Sequence, residues 1–358
     1  MYVAILLFVA YNTYFDIADT RLLTLRGAIV PSYNKLTMKE ILETMDTLKI
    51  NLGAGEMFVV NIILALVMFG VALGIKVDTF KDVFKQPKSV ITGLLLQWVG
   101  LPAATTLLVI LLNPIITPMV AIGMLLVASC PGGNISNFIS SLSKGNIELS
   151  VSMTAISTIA SPFITPFNFW FWGTLYCKYA AIHKDIPTLE LPFGEMLHQI
   201  LIILGIPIVL GILFSHYFPN AAKRLEKPSQ ILSILLFMGM VAVSLTQVLT
   251  ALDQKWTIYL GILTVLFFVV IHNATVLGTG FLTSKLLKVS EKDLRSLTIE
   301  TGIQNSGLGL ALLFNPLIFD PAIWSNNGGM VLITALWGVW HIIAGLTVAS
   351  IFRRRKLE

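Results

Sequence analysis

Long apolar stretches separated by short polar segments recur along the whole of this 358-residue chain. A transmembrane helix needs about 20 apolar residues, and most of the stretches are close to that length. Charged residues make up 12% of the chain, whereas a soluble domain carries roughly 25%. The pattern therefore predicts an all-α polytopic membrane protein, and we attribute the net charge of +5 to loops beside a membrane rather than to nucleic-acid binding.

Ten of these stretches are predicted to span the bilayer. The first is short for a span, but it lacks the basic beginning and the small-residue cleavage site of a secretory signal. In chain order the predicted spans cover residues 1–14, 57–75, 90–112, 119–143, 149–176, 196–218, 231–252, 256–287, 294–314 and 329–352.

The spans divide the chain into three segments. Residues 1–56 are predicted to hold the short first span and an external insertion, 16–55, in which residues 39–49 are expected to form a short helix along the membrane surface. Residues 57–352 are predicted to form the membrane domain, and residues 353–358 a basic cytoplasmic tail. With the tail inside, sixteen Lys and Arg residues lie on the cytoplasmic side against eight outside, so both termini are predicted to be cytoplasmic.

The fourth predicted span is interrupted by the sequence SCPGGNISN at residues 129–137. Pro131 removes a backbone donor, and the two glycines that follow it have little helical preference. Lipid cannot satisfy the backbone groups of such a break, so these groups must face protein or a water-filled site. Because Asn134, Ser136 and Asn137 add side-chain oxygens directly after it, the break indicates an ion or substrate site of a secondary transporter.

The ninth predicted span contains a second interruption, ETGIQNSGLG at residues 300–309. Ten spans divide into two sets of five, and an odd number of spans in each set inverts the second set relative to the first. Spans four and nine then occupy equivalent places. Paired interruptions of this kind predict two inverted five-helix repeats with a transport site between them.

Glu300 lies inside the ninth span, where a carboxylate costs roughly 2.5–3.5 kcal/mol on insertion scales. No Lys or Arg lies at comparable depth in any predicted span, so a cation from solution is the expected partner. Sodium suits the position because it is a hard ion that prefers oxygen ligands. The alternative is a protonated Glu300 that hydrogen-bonds to the backbone.

Four hydroxyls follow one face of the fifth predicted span at offsets of 0, 4, 7 and 11 residues. They could supply ligands opposite the first break, or they could join helices without binding anything. The two readings are equally supported for the first two hydroxyls, and the helix-joining reading is favoured for the last two. The four residues are Ser150, Thr154, Ser157 and Ser161.

Gln97 is the polar residue in the middle of the third span, and His272 with Asn273 occupies the analogous place in the eighth. The Gln97 amide needs a partner, which is either a ligand or another span. We interpret His272 as a packed, hydrogen-bonding side chain. A hydrolase that paired a serine with His272 is disfavoured, because no serine lies in a nucleophile-elbow pattern.

At these residues the chain resembles the bile acid:sodium symporter family. The resemblance rests on CPGGNISN, on KGNIELSVSMTAIST, on IETGIQNSG, and on the shorter pieces QWVGLP and IHN, and it covers residues 57–352. It implies ten helices in two inverted repeats, in which helices one, two, six and seven form a panel. The other six form a core, where broken helices four and nine cross.

The resemblance also implies two sodium sites and a substrate cavity. The first sodium site would use Ser136, Asn137, Ser150, Thr154 and Glu300. The second would use the side chains of Gln97, Glu300 and Gln304 with the backbone carbonyls of Thr301 and Ile303. Asn134, Ile135 and Asn305 would face the substrate.

These observations predict a cell-membrane symporter, and not an enzyme, that couples sodium entry to uptake of a small organic anion. The substrate class includes bile-acid-like molecules, steroid sulfates and small carboxylates. His341 is followed by Ile342, where some bacterial members of the family have Asn, so bile acid itself is not singled out. The alternative is a proton-coupled organic anion transporter in which Glu300 carries the proton.

Overall fold

Helices account for the secondary structure of the described residues, apart from one isolated β-bridge. In this computed structural model the described residues are 37–50, 54–75, 87–184, 191, 193–250, 255–315, 318–320, 324 and 326–355. The all-α prediction is confirmed for these residues. The predicted first span, 1–14, lies outside them.

From the second span onward each predicted span coincides with helix, and the bounds agree within a few residues except in two places: the helix of span five continues to Lys184, and the helix of span seven begins at Pro219. Predicted spans three and six are each a helix that continues through a π-helical turn, Leu96–Gly100 and Leu201–Gly205 respectively. The helices are α1 (Met38–Asp46), α2 (Ala54–Leu73), α3 (Pro87–Leu95), α4 (Leu101–Leu112), α5 (Pro118–Ser129), α6 (Ile135–Leu142), α7 (Ile147–Lys184), α8 (Phe193–Ile200), α9 (Ile206–Tyr217), α10 (Pro219–Thr250), α11 (Lys255–Leu286), α12 (Glu291–Gly302), α13 (Ser306–Leu313) and α14 (Gly328–Arg354).

Both π-helical turns end just before a proline, Pro102 in α4 and Pro207 in α9. A proline ring clashes with the carbonyl four residues earlier and gives that carbonyl no N–H donor. A wider turn is one way to relieve this clash within a continuing helix. The freed carbonyl before Pro102 is that of Trp98, and it accepts a hydrogen bond from Asn168 Nδ2 at 2.9 Å.

Five helical segments are long and apolar enough to cross a membrane. They are Pro87–Leu112, Ile147–His183, Phe193–Tyr217, Trp256–Leu286 and Gly328–Arg354, and shorter apolar helices occur at Phe58–Leu73, Pro118–Ser129 and Met238–Thr250. Large apolar side chains such as Leu111 and Leu235 are exposed on their outer faces. Such surfaces suit a hydrocarbon environment, so the membrane-protein prediction is confirmed.

The helices pack in two groups. Helix α2 packs against α9 and α10, and these form the first group. Helices α5, α7, α11, α12 and α14 make most of their contacts with one another and with α4 and α6. The two interrupted helices, α5–α6 and α12–α13, therefore lie in the same group.

Helix α1 packs against the second group. Leu42 and Met45 are fully buried, and α1 contacts α5, α11 and α14. The Asn327 side chain holds the segment after α1 through two 3.0 Å hydrogen bonds with the backbone of Ile50. A helix was expected at residues 39–49, and α1 occupies most of that stretch. Its apolar face is covered by other helices of the chain, and its position along the membrane surface stays a prediction.

Candidate functional site

The two helix breaks cross and satisfy one another's backbone. The Gly133 amide donates to the Ile303 carbonyl at 3.1 Å, and the Asn305 amide donates to the Pro131 carbonyl at 2.8 Å. Together they form the short antiparallel bridge between the breaks. Backbone groups that lipid could not satisfy are thus paired inside the protein.

Four helix ends meet at this crossing. Helix α5 ends at Ser129 and helix α12 at Gly302, and both present the negative ends of their dipoles. Helices α6 and α13 begin on the other side of the breaks and present positive ends. The same few residues therefore offer one environment suited to cations and another suited to anions.

Glu300 lies at the end of α12 and is 1% exposed. The Ser136 hydroxyl donates to its Oε1 atom at 2.6 Å, and the Thr154 hydroxyl does so at 3.2 Å. The Ser150 hydroxyl also donates to the same oxygen. Three helices, α6, α7 and α12, therefore place oxygen atoms around a single buried carboxylate.

Asn137 completes this group. Its Oδ1 atom lies 2.8 Å from the hydroxyl oxygen of Ser150 and 3.2 Å from that of Thr154, within hydrogen-bond distance of both. The structure thus brings together all five residues predicted for the first sodium site. We call the set the oxygen cage: Ser136, Asn137, Ser150, Thr154 and Glu300.

The donor set of the oxygen cage fits a hard monovalent cation. Its ligands are one carboxylate, one amide oxygen and three hydroxyls, and hard ions prefer such oxygens. Among the described residues, no cluster of three or more His, Cys, Asp or Glu could hold a metal ion. The cage is therefore unlike a zinc or other transition-metal site.

The residues predicted for the second sodium site lie beside the cage. Gln97 Nε2 donates to Gln304 Oε1 at 2.5 Å, and Gln304 Nε2 donates to the Thr301 carbonyl at 2.9 Å. The Ile303 carbonyl accepts from Gly133, which leaves one of its two lone pairs for another donor or an ion. These groups connect the π-helical turn after α3 to the second break.

The residues predicted to face substrate are more exposed than the cage. Asn134, Ile135 and Asn305 are half-buried. The Asn305 side chain caps α13, because its Oδ1 atom accepts from the Leu308 amide at 3.0 Å. The Ser136 amide at the start of α6 bonds to the Gly133 carbonyl at 2.9 Å, so an anion there would interact with the helix dipole more than with that amide.

Three residues beside the site were not assigned to it from the sequence, although Gly132 and Asn273 had been noted there for other reasons. The Ser140 hydroxyl lies 3.2 Å from that of Ser150, and its place one turn after Ser136 was the available signal. A Cβ atom on Gly132 would lie 2.9 Å from Glu300 Oε2, and no sequence pattern predicts this close approach. Asn273 Nδ2 donates to the carbonyl of Gly302 at 2.8 Å, which explains the polar pair in the eighth span.

His272 is a packed, hydrogen-bonded side chain, as predicted. Its Nε2 atom lies 2.8 Å from the Thr105 hydroxyl, and its ring centroid is 4.4 Å from that of Trp337. The hydroxyl it meets is a threonine on α4 rather than a serine. Nothing in this arrangement resembles a serine nucleophile held by a base.

Ser157 and Ser161 differ from their predicted role of joining helices. Their hydroxyls donate to the carbonyls of Thr154 and Thr158 in α7 itself, at 3.1 and 2.8 Å. Both side chains line a small cavity next to the first break. The hydroxyl face of α7 therefore continues beyond the oxygen cage.

Comparison with known proteins agrees with this geometry. The family model described as "Sodium Bile acid symporter family" matches residues 61–255. The chain is 29% identical over 299 residues to the "uncharacterized sodium-dependent transporter YocS" of Bacillus subtilis, covering 83% of each chain. It is 26% identical over 295 residues to the mouse "sodium-dependent organic anion transporter", covering 82% of this chain and 73% of that one.

The human "ileal sodium/bile acid cotransporter" is a further relative, 27% identical over 259 residues. The match covers 70% of this chain and 67% of the human protein. These relatives are transporters rather than enzymes, and the name of each one mentions sodium.

Proposed function

Since the chain belongs to the Sodium Bile acid symporter family, we propose that it is a symporter that uses sodium to take up an organic anion by alternating access. The oxygen cage around Glu300 is the observation that carries this proposal. A buried carboxylate ringed by neutral oxygens at the crossing of two broken helices is a place where a bare cation is both neutralised and coordinated.

Two sodium ions are proposed to bind. The first lies in the oxygen cage, coordinated by the five residues defined above. The second is bound by Gln97, Gln304, Glu300 and the carbonyls of Thr301 and Ile303. Glu300 contributes to both sites, so the two ions share one carboxylate.

This shared carboxylate explains why an anion would follow the ions. Two sodium ions against one Glu300 leave about one unit of positive charge in a buried site, and such an excess is costly at low dielectric. An anion at Asn134, Ile135 and Asn305 would offset the charge, and the beginnings of α6 and α13 would attract it further. Sodium release would then weaken anion binding.

The fold supports a two-body mechanism. We propose that ten spans form two inverted repeats, with spans one, two, six and seven as a panel and the other six as a core. The packing of α2 with α9 and α10 agrees with a panel, and the crossing of α5–α6 with α12–α13 agrees with a core. Movement of these bodies against each other would expose the site to either side of the membrane.

The placement in the cell membrane follows the distribution of basic residues. We propose that both termini are cytoplasmic and that the segment before α2 lies outside, because Lys and Arg are concentrated on the side of residues 353–356. The exposed basic residues at the end of α14, Arg353 and Arg354, are consistent with that side.

The substrate is proposed to be an organic anion such as a bile-acid-like molecule, a steroid sulfate or a small carboxylate. The mouse relative's name specifies organic anions, and the human relative's name specifies bile acid. Asn134 and Asn305 offer amide groups that suit carboxylate or sulfate oxygens.

Uptake into proteoliposomes tests the proposal. Radiolabelled taurocholate, a steroid sulfate and pantoate would each be offered under an inward sodium gradient or an equal potassium gradient, at clamped pH. We expect at least one anion to accumulate only with sodium. Equal uptake of these anions with sodium and with potassium would contradict this proposal. In a second set of vesicles, uptake driven by an imposed pH gradient would then favour the proton-coupled alternative.

A further inference from the structure

A small internal cavity lies beside the oxygen cage, between the π-helical turn after α3, the end of α5 and the middle of α7. It has room for about one water-sized particle. The polar residues that line it are Gln97, Ser129, Ser157, Ser161, Thr165 and Asn168. All six are at least nine-tenths buried.

The hydroxyl donors of this cavity are already used. Ser129 donates to the Leu125 carbonyl at 2.7 Å, in the same manner as Ser157 and Ser161 donate within α7. Asn168 Nδ2 donates to the Trp98 carbonyl. The oxygens of these side chains retain their acceptor lone pairs, so the cavity lining is rich in acceptors.

Thr165 is the exception. Its side chain is 1% exposed, and its Oγ1 atom has no hydrogen-bond partner within the part of the chain that the structure describes. Leaving a buried hydroxyl without a partner is destabilising. A ligand inside the cavity could interact with the lone pairs of this oxygen.

The electrostatic surroundings select a cation as that ligand. The cavity lies at the negative end of the α5 dipole, and no Lys or Arg is among its lining residues. It also adjoins the cage, because a Cβ atom on Gly132 would lie 2.9 Å from Glu300 Oε2 and 3.9 Å from Ser157 Oγ. Gly132 thus lies near both the carboxylate and two residues that line the cavity, Gln97 and Ser157.

We propose that this cavity is a third, weaker sodium position, which holds an ion before it enters or after it leaves the oxygen cage. The inference rests on the proposed sodium coupling. The third position lies further along α7 than the cage, between Ser157 and Asn168, away from the Ile147 end of the helix. A dehydrated sodium ion is smaller than water and fits the cavity. Neutral oxygens alone coordinate it there, so the ion binds more weakly than in the cage beside Glu300.

Equilibrium binding of ²²Na⁺ to the purified full chain, with potassium as the balancing cation, tests the third position. Thr165→Val removes the unpartnered oxygen at nearly constant volume, and Ser161→Ala removes a neighbouring one. Thr158→Val is the matched control, because Thr158 is equally buried on α7 but does not line the cavity. We expect the Ser161→Ala/Thr165→Val double variant to bind about one sodium ion fewer at saturation, with the tighter ions retained.

Sodium binding equal to that of the wild type in the double variant would overturn the third position and leave water as the occupant. An equal loss in Thr158→Val would also overturn it, because packing alone would then explain the loss. Glu300→Gln separates this inference from the proposed function. If the wild-type chain binds no sodium, or if Glu300→Gln leaves binding unchanged, the sodium-coupled function itself fails.

Discussion

The hydroxyl of Ser136 donates a hydrogen bond to Oε1 of Glu300 at 2.6 Å, although the two residues are 164 positions apart in the chain. Ser136 begins the half-helix after the first break, and Glu300 ends the half-helix before the second. Their contact therefore exists only because the two breaks cross. The oxygen cage and the fold depend on the same pairing of interrupted helices.

The close approach of Gly132 to the Glu300 carboxylate provides the first prediction. In Gly132→Ala the new Cβ atom would meet Glu300 Oε2 at 2.9 Å, so the carboxylate must shift away from Gly132 and alter its distances to the other oxygens of the cage. We expect sodium-dependent uptake to fall at least tenfold, which corresponds to about 1.4 kcal/mol in the barrier. Uptake in proteoliposomes at matched protein content measures it.

Gly278→Ala on α11 is the matched control, because nothing lies within 4 Å of its added Cβ atom. Alanine has the higher helical preference, so this variant should retain uptake and gain up to about 1 kcal/mol in stability. Equal uptake by the two variants would show that the space beside Glu300 is unimportant.

The hydrogen bond between Gln97 and Gln304 provides the second prediction. Its atoms are 2.5 Å apart, and it joins the π-helical turn after α3 to the second break. Gln97→Leu and Gln304→Leu should each raise the sodium concentration needed for half-maximal uptake. The loss of apparent sodium-binding free energy in the double variant should be smaller than the sum of the losses in the two single variants, with a coupling energy of about 0.5–3 kcal/mol. Strictly additive costs would mean that the two amides act independently.

The buried helix α1 provides the third prediction. Leu42 is fully buried among helices of the second packing group, so Leu42→Ala should lower the free energy of unfolding by about 2–5 kcal/mol. Lys49→Ala, at an exposed position nearby, is the control and should change it little. Thermal unfolding of the purified protein measures both, and equal stability would place α1 outside the folded unit.

Much of the architecture was accessible from the sequence because lipid imposes strong rules. Apolar length predicted a helix at each place where the structure describes a predicted span, and Pro131 with its two glycines located a break. Polar residues in apolar helices singled out individual oxygens of the cage, such as those of Asn137 and Glu300, but did not assign the five residues to one site. The resemblance of the chain to the family supplied the grouping of these residues into two sodium sites.

Other features depend on tertiary contacts that leave little local signal. The pairing of Gly133 with Ile303 joins distant backbone groups, which have no side-chain pattern to identify them. The burial of Leu42 requires knowledge of which surface covers it. Ser157 and Ser161 carry the right spacing, but spacing does not distinguish a hydroxyl that bridges two helices from one that lines a cavity.

The central claim is that sodium binds at Glu300, and thermal unfolding of the purified protein in sodium or potassium chloride tests it most directly. An ion that binds only the folded state at about 100 times its Kd stabilises that state by about 2.7 kcal/mol per site. We predict that sodium stabilises the wild type and the exposed-site control Glu148→Gln, and that Glu300→Gln loses this stabilisation. Equal stabilisation of Glu300→Gln by sodium would contradict the account.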